Sequence, residues 1–169
     1  MIETRLDKNF KIKGFFDEET STISYVVYDM TSKKCAVIDS VLDFDFSSGT
    51  IDYHNAEKII SFIEKMKLDL EWLIETHVHA DHLSASPYIQ KKLGGKIGIS
   101  EKISDIQNIF GKTFNAGTEF QRDGSQFDRL FKDNDEYKIG SIKCKVINTP
   151  GHTPACTAHV IGNSIFVGD

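Results

Sequence analysis

Cysteine, proline and tryptophan are scarce in this 169-residue chain, with three, three and one of each. Three cysteines at positions 35, 144 and 156 are too few and too scattered to frame a disulfide-stapled domain, and a reducing cytoplasm suits them best. No apolar run approaches the length that crosses a bilayer, and residues 1–5 lack the apolar core of a secretory signal. Basic runs are missing too. With a net charge of −5, a nucleic-acid partner is not expected. There is no internal repeat and no low-complexity segment. What is left is the length of one domain, long enough to bury a sizeable core.

Histidine is also sparse, yet half of the six histidines fall in one stretch, Thr76-His77-Val78-His79-Ala80-Asp81-His82. Imidazole and carboxylate together suit zinc or non-haem iron. The apolar run 70–75 before it reads as a strand, and Leu83 to Leu93 after it reads as a helix. The cluster therefore sits on a loop at the carboxyl end of a strand, where open α/β sheets bind ligands. His77 and His79 alternate along extended backbone and point to one side, while Asp81 and His82 face the same space from the helix start. That allows one metal, or two adjacent metals with separate ligand sets. A helix cap alone would use one polar side chain, not four.

Elsewhere the pattern alternates strand and helix signals. Strands are expected over Phe10–Phe16, Ser21–Tyr28 and Cys35–Ile38, the last ending at Asp39, which either supports the metal loop or begins a turn. Residues 41–55 read as a long polar loop holding a solvated His54. Asn55 then caps a helix to about Lys67, with Ile59, Ile60, Ile63 and Met66 as its buried stripe. Lys96–Ser100 reads as a strand and Glu101–Phe110 as a helix with Ile103, Ile106 and Phe110 inward. The loop 111–131, with Phe114, Phe120 and Phe127 spaced through it, either covers the metal site or packs onto the core. A hairpin through Gly140-Ser141 puts Ile142, Cys144 and Val146 on one face. Thr149-Pro150-Gly151-His152-Thr153-Pro154 holds His152 on a stiff turn, as a metal ligand requires. Cys156 reads as a buried structural thiol and His159 as a sheet-face residue. Asp169 is a further carboxylate at a strand end.

These residues resemble the metallo-β-lactamase superfamily: the H-x-H-x-D-H motif at 77–82, the histidine turn at 152 and the strand-end Asp169. The segments 75–82, 123–128 and 149–156 together are similar to the persulfide dioxygenases, within them to the bacterial branch of β-lactamase hydrolase-like proteins. The resemblance implies an α/β fold, the αββα sandwich, of which this chain holds the N-terminal part. It implies one Fe(II) on His77, His152 and Asp169, a facial-triad ligand type with open positions, with His79 as an additional candidate ligand and zinc as the alternative metal. Asp81 and His82 are then the catalytic candidates around the ion. The implied reaction oxidises glutathione persulfide with O2 and water to sulfite and glutathione.

Two departures stand out. Ser40 replaces the proline that often follows the strand-end aspartate in the family, and the family continues well beyond Asp169. The chain is therefore expected to be a fragment of a longer protein; standing alone, it would expose an apolar sheet face and form a homo-oligomer. Two other readings compete. One is a dinuclear zinc hydrolase of glyoxalase II type acting on a glutathione thioester, to which Val78 fits less well because that family usually has histidine there. The other is an inactive metal-binding scaffold.

Overall fold

A computed structural model describes residues 9–169. The stretch read for a secretory signal, residues 1–5, lies outside them. Among the described residues no helix is long and apolar enough to cross a membrane.

The first three strands, β1 (Phe10–Asp17), β2 (Thr22–Asp29) and β3 (Lys34–Ile38), form an antiparallel meander. The chain then crosses over, so that β6 (Asp69–Ile74), β8 (Lys96–Ser100) and β9 (Arg129–Phe131) add in parallel and complete a mixed six-stranded sheet. A second, antiparallel sheet runs β10 (Glu136–Ile139), β11 (Ile142–Asn148), β12 (Thr157–Ile161), β13 (Ser164–Phe166). Period-two alternation fixes its register: Ile142, Cys144 and Val146 turn inward, and Lys143 and Lys145 stay exposed. Ile142 and Cys144 meet Val27, Ala36, Ile38 and Ile74 of the first sheet to form one core layer.

The other face of the first sheet is covered by helices α1 (His54–Lys65), α2 (Ser86–Leu93) and α3 (Ile103–Thr113). In α1, Ala56, Ile59, Ile60 and Ile63 fall at helical spacing and are buried. Each fully buried isoleucine contributes roughly 1.5–3 kcal/mol relative to an exposed one. The layers are thus helix, sheet, sheet, the architecture expected of the N-terminal part of an αββα sandwich. Among the described residues no helix covers the outer face of the second sheet, where Lys143 and Lys145 stand beside Val160 and Ile165. That face is mixed rather than apolar.

Several expected boundaries change. Residues 41–55 are not a loop: β4 (Val41–Asp45) and β5 (Thr50–Asp52) pair as a hairpin, and Gly49 with φ 69° makes its turn possible. Tyr53, not Asn55, occupies the cap position of α1. Asn55 instead gives its side-chain amide to Asp17 and Asp43, joining β1 to the hairpin. Leu83 does not start a helix but a two-residue strand, β7 (Leu83–Ser84), paired with β4, and α2 begins at Ser86 with Pro87 in its first turn. In α3, Ile103 and Ile106 are buried as expected, whereas Phe110 is 49% exposed and faces a groove, not the core.

Candidate metal centre

All the candidate groups converge at one edge of the sandwich, at the carboxyl ends of strands. His77, His79, Asp81 and His82 lie on the loop after β6, Asp39 directly after β3, His152 on the turn after β11, and Asp169 after β13. The parallel pairing of β3 with β6 brings Asp39 against Thr76; the Asp39 N–H donates to the Ile74 carbonyl at 2.9 Å. The open question about Asp39 is thereby decided: it supports the loop.

The structure brings His77, His152 and Asp169 together, each offering a ligand atom within 4.8 Å of the others. His77 Nε2 lies 3.7 Å from Asp169 Oδ2, a span that one ion at about 2.1 Å from each can bridge. The His77 ring is 1% exposed, and its Nε2 has no hydrogen-bond partner among the described residues. A buried, unpaired nitrogen costs ~1–3 kcal/mol unless something fills its lone pair. The hydrogen bonds around it settle its tautomer. Asp39 is a carboxylate and can only accept; it takes the Thr76 N–H on Oδ1 and the Thr76 hydroxyl on Oδ2, both at 2.8 Å. With its proton directed to Asp39, Thr76 Oγ1 accepts from His77 Nδ1–H at 3.0 Å. The lone pair is then on Nε2, facing His152 and Asp169. A buried imidazole so oriented fits a metal ligand supported by a carboxylate through a hydroxyl.

Gly168 completes the approach. At φ 68° it brings the chain close behind Thr76, and an added Cβ would stand 2.5 Å from Thr76 Oγ1. Only glycine accommodates both the backbone angle and this approach.

His79 is held differently. Its Nε2 lies 3.0 Å from Glu75 Oε2 and 3.2 Å from Asp39 Oδ1, and so donates to two buried carboxylates. Burial works against its charge, but the hydrogen bonds to Asp39 and Glu75 outweigh burial and push its pKa up to about 10. Asp39 is correspondingly lowered: burial raises it, and the bonds from His79 and Thr76 more than reverse that. Glu75 Oε1 is satisfied by the hydroxyls of Ser84 and Ser86 at 2.5 Å each. With Nε2 engaged, a metal contact from His79 would fall to Nδ1 and would have to displace the proton that the raised pKa keeps there. Rather than joining the His77 trio, His79 forms a second group with Asp81 and His82. His82 donates Nδ1–H to the Leu83 carbonyl at 3.0 Å, leaving a buried Nε2 without a partner among the described residues. Asp81 does not cap a helix; it accepts from the Thr22 hydroxyl at 3.2 Å.

Cys156 is buried, accepts from the Thr153 N–H and shares a hydrogen bond with the Thr153 hydroxyl, tightening the His152 turn rather than joining the ligands. His159 is a fully buried sheet-face residue, and His54 is exposed. Sequence reasoning missed Glu75 as a functional residue. Its signal is a carboxylate at the end of an apolar strand, where an unpartnered charge would be costly.

The chain matches the model of the metallo-beta-lactamase superfamily over residues 18–169. It is 48% identical over 150 residues to a probable metallo-hydrolase of Burkholderia pseudomallei, covering 89% of this chain and 51% of that protein. It is 42% identical to glyoxylase B2 of Dictyostelium discoideum, covering 94% and 55%. To the human mitochondrial persulfide dioxygenase ETHE1 it is 24% identical, covering 94% and 51%. The crystal structure of ETHE1 from Myxococcus xanthus superposes with a TM-score of 0.70 at 23% identity, covering 94% of this chain and 57% of that one. The chain spans about half the length of the curated relatives it matches, and 39% of a beta-lactamase hydrolase-like protein of Xylella fastidiosa to which it is 43% identical over 168 residues. On its sequence match and its fold, this chain belongs to the metallo-beta-lactamase superfamily.

Proposed function

We propose that this chain carries the centre of an Fe(II)-dependent dioxygenase that oxidises the terminal sulfur of a low-molecular-weight persulfide, glutathione persulfide being the form the resemblance implies. The observation that supports it most is the trio of two imidazoles and one carboxylate, with the buried Nε2 of His77 unpartnered and aimed into it. Two histidines with a single carboxylate serve non-haem iron oxygenases and catalytic zinc sites alike; the likeness to the persulfide dioxygenase ETHE1 is what favours iron. Iron(II) on His77, His152 and Asp169 would supply the one-electron chemistry that dioxygen needs. The overall change is R–S–SH + O2 + H2O giving R–SH, sulfite and two protons.

The chain's own groups divide the remaining work. Asp39 and Thr76 orient His77. Glu75 and Asp39 hold the His79 N–H, and through it the ring beside the site. His82, with its proton on Nδ1 and its Nε2 free, is placed to accept the persulfide S–H proton at Nε2. Asp81, tied to Thr22, adds a carboxylate beside His82.

A second reading is favoured by the second ligand group, His79, Asp81 and His82, and by the likeness to glyoxylase B2. Two zinc ions would then serve hydrolysis of a thioester. The two readings separate on metal content after anaerobic purification, together with oxygen uptake on persulfide. Near one iron per chain with persulfide-dependent uptake supports the dioxygenase. Two zinc ions with thioester cleavage would replace it, and a chain that binds neither metal would leave a scaffold.

A further inference from the structure

The metal centre opens onto a groove of about 620 Å³ that the proposed reaction has not yet used. His79 and His152 stand at one end of it, and Val78, Ile106, Phe110, Phe114 and Phe120 supply much of its wall. The segment 111–131 thus does both things its sequence allowed. Phe127 packs against the core, while Phe114 and Phe120 turn to the metal edge, 73% and 43% exposed. Phe110 and Phe114 stack with ring centroids 5.8 Å apart. Exposed aromatic rings gathered in this way mark a binding surface.

The groove's polarity is as informative as its size. Among the described residues no lysine, arginine, aspartate or glutamate lines it. Gln107 lines it too, with its amide tied to the loop: Nε2 donates to Gln126 Oε1, and Oε1 accepts the Gly124 N–H, both at 2.9 Å. Arg122, the one cation in the loop 114–128, gives its guanidinium to the carbonyls of Gly111 and Ala116. A glutathionyl group brings two carboxylates and an ammonium; His79 and His152 offer polar atoms only at the metal end, and along the phenylalanine wall each charge would lose water without replacement. An alkyl or aryl group loses nothing and covers the three phenylalanine rings.

We infer that this groove takes the organic group of the sulfur substrate and selects a persulfide whose carrier thiol is apolar, alkyl or aryl, over a charged one. The inference rests on the persulfide reading, and the test keeps the two apart. Oxygen uptake by the iron-loaded chain is compared for glutathione persulfide and benzyl persulfide. In parallel, benzyl mercaptan and glutathione are titrated into the metal-free chain while amide resonances of Val78, Phe114 and Phe120 are followed. The expected result is a kcat/KM about tenfold or more higher for benzyl persulfide, the discrimination a small apolar contact gives, with groove amides shifting for benzyl mercaptan and not for glutathione. Replacing both exposed rings, Phe114→Ser with Phe120→Ser, should cut that preference about tenfold by raising KM for the benzyl substrate.

Preferred turnover of glutathione persulfide, with groove amides indifferent to benzyl mercaptan, would overturn the inference and leave the dioxygenase standing. No oxygen uptake on either persulfide, with benzyl mercaptan still shifting the groove amides, would remove the dioxygenase reading and keep an apolar ligand site. Failure of both removes both.

Discussion

His159 is fully buried in β12, between the two sheets, and takes no part in the proposed chemistry. Burial holds it as a neutral imidazole, and its hydrogen bonds suit that form. Thr157 gives its hydroxyl proton to the Thr76 carbonyl at 3.0 Å, so its oxygen accepts from His159 Nε2–H at 3.3 Å. Nδ1 is then left to accept the Tyr137 hydroxyl at 3.0 Å. Burial pushes the pKa of His159 down to about 4, only weakly opposed by the distant charge of Asp39. In the unfolded chain a histidine titrates near 6.5. Between these two values the unfolded chain binds a proton that the folded chain refuses, so stability falls as pH falls through about 6.5 and levels off below about 4. At ~1.4 kcal/mol per pH unit, the wild-type chain loses ~3 kcal/mol across that window on account of His159 alone. Substituting His159→Phe removes the titration but strands the Tyr137 hydroxyl, at a cost of roughly 2 kcal/mol near pH 7.5. The two stabilities should therefore cross near pH 5. Urea unfolding of the metal-free proteins, followed by circular dichroism from pH 7.5 to 4.5, measures both curves. The other histidines titrate alike in the two proteins and cancel in the difference. Parallel curves, with a gap that does not close by ~2 kcal/mol, would refute the assignment of His159 as a buried neutral group.

Three further outcomes are expected. Thr76→Val keeps the backbone N–H on Asp39 but strands His77 Nδ1, and should raise the metal dissociation constant about 10–100-fold, read by competition with a chromophoric chelator. Asp29 is fully buried and accepts from Thr31, Ser32 and, twice, Ser141. Burial raises its pKa, and these donors together lower it far below the usual carboxylate range. Asp29→Ala should therefore cost ~3 kcal/mol at neutral pH in urea unfolding, a stabilisation that the wild type has in full above the ordinary aspartate pKa and loses as pH falls below about 4. Gly98→Ala places a Cβ 2.5 Å from the ring of the fully buried Phe131; it should cost ~1–3 kcal/mol and lower the melting temperature by roughly 4–8 °C in calorimetry.

How much of this was legible in the sequence depends on the range of the interaction that decides each feature. The inward face of β11 and the stripe of α1 were readable because period two and period 3.6 are written in adjacent residues. The hairpin at 41–52 was not, because Asp, Ser and Gly give its local pattern a loop's composition. It forms because β4 pairs with β7 on one side and β5 on the other, with Asp43 anchored to Asn55. Phe110 was misplaced for a related reason. Helical spacing puts it on the stripe of Ile103 and Ile106, but the buried face of α3 runs on through Gln107 and Gly111, and Phe110 turns instead to stack on Phe114 at the groove.

The metal edge divides along the same line. Histidines at 77, 79, 82 and 152 are rare residues in a telling order, and they point to a site without any fold. The partners that set their protons, Asp39, Thr76, Glu75 and Ser86, are common residues whose meaning comes only from the parallel pairing of β3 with β6 and from the return of the chain at α2. The sequence therefore announces a candidate ligand and withholds its tautomer. That difference has a chemical consequence here: His77 and His82 end with bare Nε2 atoms, while His79 ends with its Nε2–H between two carboxylates. Three histidines within six residues thus enter the same edge as two lone pairs and one donor, an asymmetry that the H-x-H-x-D-H spacing alone does not contain.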